Sequence, residues 1–558
     1  MTVGLNIMIM RQKTILFVFL LTISLQVMSQ VRLLRNNTRA MLEVNGKPML
    51  ILGGELSNSA ATSVQDIDEV IPRMKAIGLN TLLVPAQWDL IEPEEGKFDF
   101  KLIDETVFCA RDNGMKVVFL WFGVWKNSMS CYAPLWFKQD VRRFPRAMTR
   151  NGKPLEIASA FSENVLAADK KAFLSLVEHI AEIDGDDHTV VMIQVENEIG
   201  MLEDARDHSP LAEKVYSGKV PSDFLKAVRI TQGGTWGDVL KNDVYGDEQF
   251  MAYWYARYVE QLANAARKLL PIPFFVNAAM NSRGRIPGEY PSAGPLAHLK
   301  DIWHCGAPSI DILAPDIYDT GFKSWTALYA LPDNPLFIPE SRCCANSGVR
   351  ALYVFGEHES VGFSPFAIDQ SSDADAKEIA RAYALIGELS PLLINNRGRN
   401  TVRGVLFDAD DCETAISYDD IVLTCSHYFT LPWDSRSKDL SSWREGGGII
   451  IQIAKDEFLI AGSGIVVAFQ SKTEKKQMER AVLGEDGFAD KGGDKALPAL
   501  SKFKGKRIGI GYVDEVTVES DGTFRYVRRL NGDQSHQGRH VRISVDDYKI
   551  LHVKLYEY

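Results

Sequence analysis

A chain of 558 residues is longer than one hydrophobic core usually serves, so at least two domains are expected. The 46% hydrophobic and 24% charged residues are those of a folded soluble protein. With 62 basic against 73 acidic residues the formal charge is -11, and no sustained run of Lys or Arg is present. That balance argues against nucleic acid or an anionic membrane as the main partner.

Residues 1–29 read as a secretory signal peptide. Arg11 and Lys13 precede the apolar stretch from Ile15 to Leu25, and the small Ser29 offers a cleavage position. The run is shorter than the roughly 20 residues that span a bilayer, so an exported product, periplasmic or secreted, is expected with no membrane span after signal removal. Seven cysteines, 109, 131, 305, 343, 344, 412 and 425, are odd in number and irregularly spaced, so they do not form a disulfide framework. No paired CxxC and no HExxH occurs, and no metal or organic cofactor is expected.

Met41 to Lys47 reads as a hairpin turning at Asn45-Gly46. A buried strand, Met49 to Leu52, runs into Gly53-Gly54-Glu55. Ile67, Val70, Ile71 and Met74 then fall at helical spacing, which predicts a helix from Asp66 to Ala76. Further strands are predicted at Asn80 to Val84, Lys116 to Phe122, Val190 to Val195, Pro273 to Asn277, Asp311 to Pro315, Leu336 to Pro339 and Ala351 to Phe355. Helices near Leu102 to Asp112, Ala167 to Ile183, Tyr253 to Leu270 and Ala374 to Leu389 separate many of them. A long aromatic loop, Trp121 to Phe144, and a polar insertion, Leu202 to Asp247, interrupt the alternation.

Eight strand candidates alternating mostly with helices predict an α/β fold, a (β/α)8 barrel spanning residues 30–394. A doubly wound sheet is the rival. The barrel is preferred because most of the strands end in Trp, Glu, Asn or Tyr, which would ring one rim. From residue 395 to 558 the texture changes to short alternating runs such as GVLFDA, GGGIIIQIA and YKILHVKLYEY, parted by Gly, Asp and Asn. These predict a smaller all-β sandwich, serving either to pack against the barrel or to bind carbohydrate.

The chemistry is concentrated in HTVVMIQVENEIG, where an apolar strand delivers Gln194, Glu196, Asn197 and Glu198 to its C-terminal edge. Three strand-helix units later LFIPESR places Glu340 on the same rim. Two carboxyls facing one another across a pocket suit glycoside hydrolysis, one protonated to donate to the leaving oxygen and one ionised to attack.

IQVENEIG and LFIPESR resemble the acid/base and nucleophile signatures of retaining (β/α)8 glycosidases, most closely the β-galactosidases of glycoside hydrolase family 35. PAQWDLIEPEEGKFDF and APLWFKQD are similar to two further segments of that family, and the resemblance runs from about Asn45 to Leu389. It implies Glu198 as proton donor and later base, Glu340 as nucleophile, and Asn197 on the sugar's 2-hydroxyl. Tyr318, in APDIY, would hold the nucleophile or contact sugar. Glu196 belongs to the same signature, although the strand pattern alternatively turns it back into the barrel. The substrate implied is an oligo- or polysaccharide.

Three segments depart from that family. Asp187-His188-Thr189 stands where it has Gly-Gly-Pro, GGELSNSA replaces its first-strand motif, and FGVWKNSMSCY lacks its Glu-Trp. Among Trp88, Trp121, Trp125 and Trp136, the first and third are the candidates for stacking on sugar, the alternative being plain core. Lys126, Asn127 and Asn277 are candidates for bonding hydroxyls. Arg342 either keeps Glu340 ionised or is a surface residue. The expected activity is retaining exo-glycosidase, in the first place a β-galactosidase removing terminal β-galactosyl residues from glycan side chains, with a silent glycan-binding barrel, or specificity for arabinose, fucose or glucose, as alternatives. The oligomeric state is not specified by any of these features.

Overall fold

The computed structural model describes residues 31–36, 39–281, 283–478 and 505–558. The expected signal peptide lies outside them. Strands Val31–Asn36, Arg39–Val44 and Lys47–Met49 form an antiparallel sheet before the barrel. Its second turn is made by Asn45 and Gly46, with φ of 53° and 73°, the left-handed pair that a two-residue hairpin requires.

Eight strands then close into a parallel barrel in sequential order: β1 (Ile51–Glu55), β2 (Thr81–Gln87), β3 (Lys116–Phe122), β4 (Val190–Gln194), β5 (Phe274–Ala279), β6 (Ile312–Ile317), β7 (Phe337–Ser341) and β8 (Gly362–Pro365). Their near-continuous burial explains why they read as apolar runs, since helices or other chain cover the outer face of the sheet. The helix Val64–Ile77 buries Ile67, Val70, Ile71 and Met74, the four positions its periodicity indicates. It is capped by the Ser63 side chain and ended by Gly78 at φ 97°.

One expected strand is a helix. Ala351 to Phe355 lies within the helix Ser347–Glu357, and β8 comes after it. Nine of that helix's eleven residues are buried, because the barrel covers one side and the C-terminal sheet the other. A helix enclosed all round loses the amphipathic period and looks like a short buried strand. The contact is close because of glycine: a Cβ on Gly404 would stand 2.4 Å from the Tyr353 carbonyl, and one on Gly356 would stand 2.9 Å from Gly404. Arg350 pairs with Glu445 at 2.6 Å and Arg403 with Glu357 at 2.8 Å across the same seam.

After the helix Asp373–Asn395 the chain builds a six-stranded and a four-stranded antiparallel sheet. Val405, Ile450, Phe458 and Val553 fill the space between them with Leu423 and Val467. Ile449, Ile451, Leu459 and Val516 face the other way and join the barrel's own core. The central strand Gly446–Ala454 is therefore covered on both faces, which its run of three isoleucines reflects.

The insertion after β4 holds three short helices, Pro210–Tyr216, Ser222–Ala227 and Trp236–Val239. Buried Arg206 ties it down by donating to Asp247 and Glu213, each at 2.8 Å. All seven cysteines are unpaired. Among the described residues no helix is long and apolar enough to cross a membrane.

Candidate active site

The C-terminal rim of the barrel gathers Glu55 from β1, Lys126 after β3, Glu198 after β4, Asn277 from β5, Asp316 from β6 and Glu340 from β7. That is the end at which barrels of this architecture carry chemistry. Each of these side chains is almost wholly buried. One carboxyl oxygen from each of Glu198, Asp316 and Glu340 lies within 4.8 Å of the other two. The three are near enough to share a cation, but Lys126 already places an ammonium in their field.

Backbone strain aims the acidic segment. Glu196 and Glu198 have φ of 60° and 45°, a region that costs a non-glycine residue roughly 1–3 kcal/mol. Hydrogen bonds from neighbouring strands hold it there. Trp125 N–H donates to Glu196 Oε2 at 2.8 Å, Asn197 N–H to the Trp125 carbonyl at 3.1 Å, and Glu198 N–H to Asn277 Oδ1 at 2.9 Å. The zigzag sends Glu196 into the wall and leaves Glu198 beside the cleft that it lines with Met280, Asp316, Tyr318 and Trp325, a space of about 140 Å³.

The two principal carboxyls are held differently. Glu198 accepts from Asn127 Nδ2, and burial, then the charge of Glu340, push it up to about 7 against the pull of Lys126. At neutral pH it therefore holds a proton a large part of the time. Glu340 accepts from the Tyr318 hydroxyl at Oε1, and its Oε2 has no protein partner. Burial alone would lower Lys126, but Glu340, Glu198, Glu55 and Asp316 reverse that and hold it above its ordinary range. A carboxyl protonated much of the time and one held by the Tyr318 hydroxyl thus face each other, their oxygens within 4.8 Å.

Asn197 accepts from Lys126 Nζ at 2.9 Å, and its Nδ2 is a buried donor with no protein partner, as a ligand-reading amide would be. Asn277 is committed at both ends, accepting from Glu198 N–H and donating to Asp316 Oδ2 at 2.7 Å, so it positions acids and is not free for sugar. Asn127 likewise holds Glu198. Arg342 is not bonded to Glu340; it donates to the Tyr318 carbonyl at 2.9 Å and braces that residue from outside.

Three expected site residues are corrected by their surroundings. Trp88 is fully buried, its Nε1 donating to Glu92 at 2.8 Å and its ring packed 5.1 Å from Phe137 and 5.8 Å from Trp136. Trp125 is fully buried edge-on to Tyr255 and Tyr258, so neither indole offers a face to sugar. Trp125 contributes through its backbone. Glu196 is also fully buried, beside Asp169, which accepts from Trp121 Nε1 at 2.9 Å and Tyr258 hydroxyl at 2.8 Å. Burial, then the Asp169 charge, push Glu196 well above the usual carboxylate range. Gly123 permits that pair, since a Cβ there would stand 2.7 Å from Asp169 and 2.9 Å from Glu196.

Residues that the sequence reading left out are Glu55, Asp316 and Trp325. Asp316 stands two positions before Tyr318 on one strand end, so period-two alternation puts both toward Glu340, a signal present in APDIY. Glu55 ends β1 in GGE and carried no comparable cue. Trp325 reaches the cleft from the helix Phe322–Tyr329, where nothing in the local pattern marks it.

Comparison with known proteins finds partial relatives of this chain. Residues 59–233 match the family model described as β-galactosidase, glycosyl hydrolase family 42, a span that includes Glu198 and ends before Glu340. Residues 379–542 match a domain of unknown function, DUF5597. A β-galactosidase of Xanthomonas manihotis is 26% identical over 214 residues, 36% of this chain and 32% of that protein. β-Galactosidase-1-like protein 3 of Homo sapiens is 26% identical over 176 residues, 31% of this chain and 25% of that protein. The aligned part thus spans a third or less of either relative's length. Among solved structures, the β-galactosidase of the Antarctic haloarchaeon Halorubrum lacusprofundi is 16% identical, with a TM-score of 0.43 over 60% of this chain and 58% of that one. The family model is that of family 42, while the two motifs resemble family 35; β-galactosidase is the description common to both.

Proposed function

We propose that the protein is a retaining exo-β-glycosidase, in the first instance a β-galactosidase that removes terminal galactosyl residues from an oligo- or polysaccharide. The observation that carries this reading is the separation of Glu198 and Glu340, whose nearest oxygens lie within 4.8 Å at one rim. Retaining enzymes hold their carboxyls about 5–5.5 Å apart, inverting ones about 6.5–9.5 Å. Glu340 attacks the anomeric carbon as Glu198 gives its proton to the departing oxygen, leaving a glycosyl ester on Glu340 and releasing the alcohol. Glu198, now ionised, takes a proton from water as that water's oxygen attacks the same carbon and frees Glu340. Asn197 Nδ2 bonds the sugar during both steps, and Tyr318 holds Glu340 in line.

IQVENEIG and LFIPESR support placement in family 35, and the basic and apolar residues from Arg11 to Ser29 support export to the periplasm or beyond. The test is an aryl glycoside panel, galactoside first and arabinoside, fucoside and glucoside after it, with the anomer first released read by NMR. Retention is expected, and loss of several orders of magnitude in Glu198→Gln and Glu340→Gln. Inversion refutes the mechanism. A protein that binds the glycosides and turns over none is a receptor instead.

A further inference from the structure

Three consecutive residues after β3 hold three consecutive residues after β4, one to one. Trp125 N–H donates to Glu196 Oε2 at 2.8 Å, Lys126 Nζ to Asn197 Oδ1 at 2.9 Å, and Asn127 Nδ2 to Glu198, each pair 71 positions apart in the chain. Asn197 N–H adds a backbone bond to the Trp125 carbonyl at 3.1 Å. The second and third rungs of this ladder hold residues that the proposed reaction uses. The first is sealed in the wall, where Glu196 and its neighbour Asp169 are both 0% exposed, and the double displacement makes no use of it.

Glu196 can form that rung as a neutral acid. Trp125 takes its Oε2, so Oε1 is the oxygen left to meet Asp169, with which Glu196 is in hydrogen-bond contact. Asp169 accepts from Trp121 Nε1 at Oδ1 and from the Tyr258 hydroxyl at Oδ2, so donors from two further elements support its charge. Two ionised carboxyls in contact repel, and one shared proton removes the conflict. Placed on Glu196 Oε1, that proton points at Asp169 and accounts for a buried oxygen that no other donor of the protein reaches. Glu196 then behaves as an amide would, donating on one side and accepting on the other. A side chain fixed at both ends is what a strained backbone needs: φ is 60° at Glu196 and 45° at Glu198, and such values persist where the surroundings over-determine them.

We infer that Glu196, held by Asp169 through a shared proton, is a positioning residue whose two hydrogen bonds lock the strained turn carrying Glu198 and set that acid against Asn127. This rests on the glycosidase reading for what Glu198 does; what Glu196 fixes is geometry. The first rung thereby joins the segment after β3 to the segment after β4 from behind the cleft, without touching substrate.

The test compares two variants of the full chain, with folding checked by circular dichroism. Glu196→Gln keeps both bonds, its amide donating to Asp169 and its carbonyl accepting from Trp125; Glu196→Met keeps the volume and neither bond. The readout is kcat/KM on two aryl glycosides of the sugar the parent hydrolyses fastest. A phenyl glycoside needs the proton of Glu198 on its leaving oxygen, whereas a dinitrophenyl group departs as a stable anion. Glu196→Met should lose about thirtyfold or more on the phenyl substrate and about threefold or less on the other, and Glu196→Gln should restore both to within about threefold of the parent. A merely structural pair would lower both substrates alike, or the melting temperature alone. Equal effects on the two substrates in folded Glu196→Met overturn the inference. So does a phenyl loss of about tenfold or more in Glu196→Gln, an outcome that does not depend on the Met variant folding. If the parent hydrolyses no aryl glycoside, the catalytic reading fails and crystal structures of the parent and both variants decide this one. The Asn127–Glu198 bond kept in Glu196→Gln and lost in Glu196→Met supports it, and any other pattern refutes it.

Discussion

Substituting Glu198 by Gln should make the protein more stable in alkali and, on the proposed mechanism, abolish hydrolysis. Glu198 stands at about 7 in the folded chain against an ordinary 4.5, so between those values the folded state binds more protons than the unfolded one. Stability from this group is full below the unfolded value and is lost as pH rises through the folded one. The difference is worth about 3 kcal/mol at pH 8 and less than about 1 kcal/mol at pH 5. Gln imitates the protonated acid and escapes the loss. A barrel of about 365 residues has a melting entropy near 0.8 kcal/mol/K, so the variant should melt roughly 4 °C above the parent at pH 8 and about 1 °C above it at pH 5. Differential scanning calorimetry at the two pH values measures this. An equal gap at both, or none at pH 8, refutes the argument that burial and Glu340 raise this acid.

On the proposed mechanism the same group sets the alkaline limb of catalysis: kcat/KM for an aryl galactoside should fall about tenfold per pH unit above about 7, and a profile flat to pH 9 would assign the proton donor elsewhere. Tyr318→Phe removes the hydroxyl that bonds Glu340, and a charged hydrogen bond of about 1.5–3 kcal/mol predicts a loss of roughly 10–100-fold in kcat with KM little changed. Steady-state kinetics on one substrate decide it. Gly123→Ala forces a methyl to within 2.2 Å of Trp121 Nε1 and should destabilise the barrel by about 1–3 kcal/mol, measured as a lowered melting temperature.

The barrel is legible in the sequence because its strands are covered on both sides and its helices on one. That contrast marks Lys116–Phe122 and the face Ile67, Val70, Ile71 and Met74 without ambiguity. It fails where a helix is enclosed all round, as at Ser347–Glu357. The acids Glu198 and Glu340 are legible because each follows an apolar run and ends it. Trp88 and Trp125 are not, because a strand-end aromatic can turn to the mouth or to the wall, and only the neighbouring Phe137, Tyr255 and Tyr258 decide which. Glu196 has the same ambiguity, settled by Asp169, a partner 27 positions earlier on another element. Asp316 shows the opposite case, a residue readable by its spacing from Tyr318.

The glycine seam behind β7 has an evolutionary corollary. Gly356, Gly404 and Gly447 belong to different elements of the chain, yet none can gain a side chain without displacing the backbone opposite. Drift in one half is therefore policed by the other, and the scaffold under Glu340 inherits that discipline. Severing the chain after residue 395 would bare the far flank of Ser347–Glu357 to water. The excised barrel should then clump or lose order beside Glu340 instead of surviving as a free-standing domain.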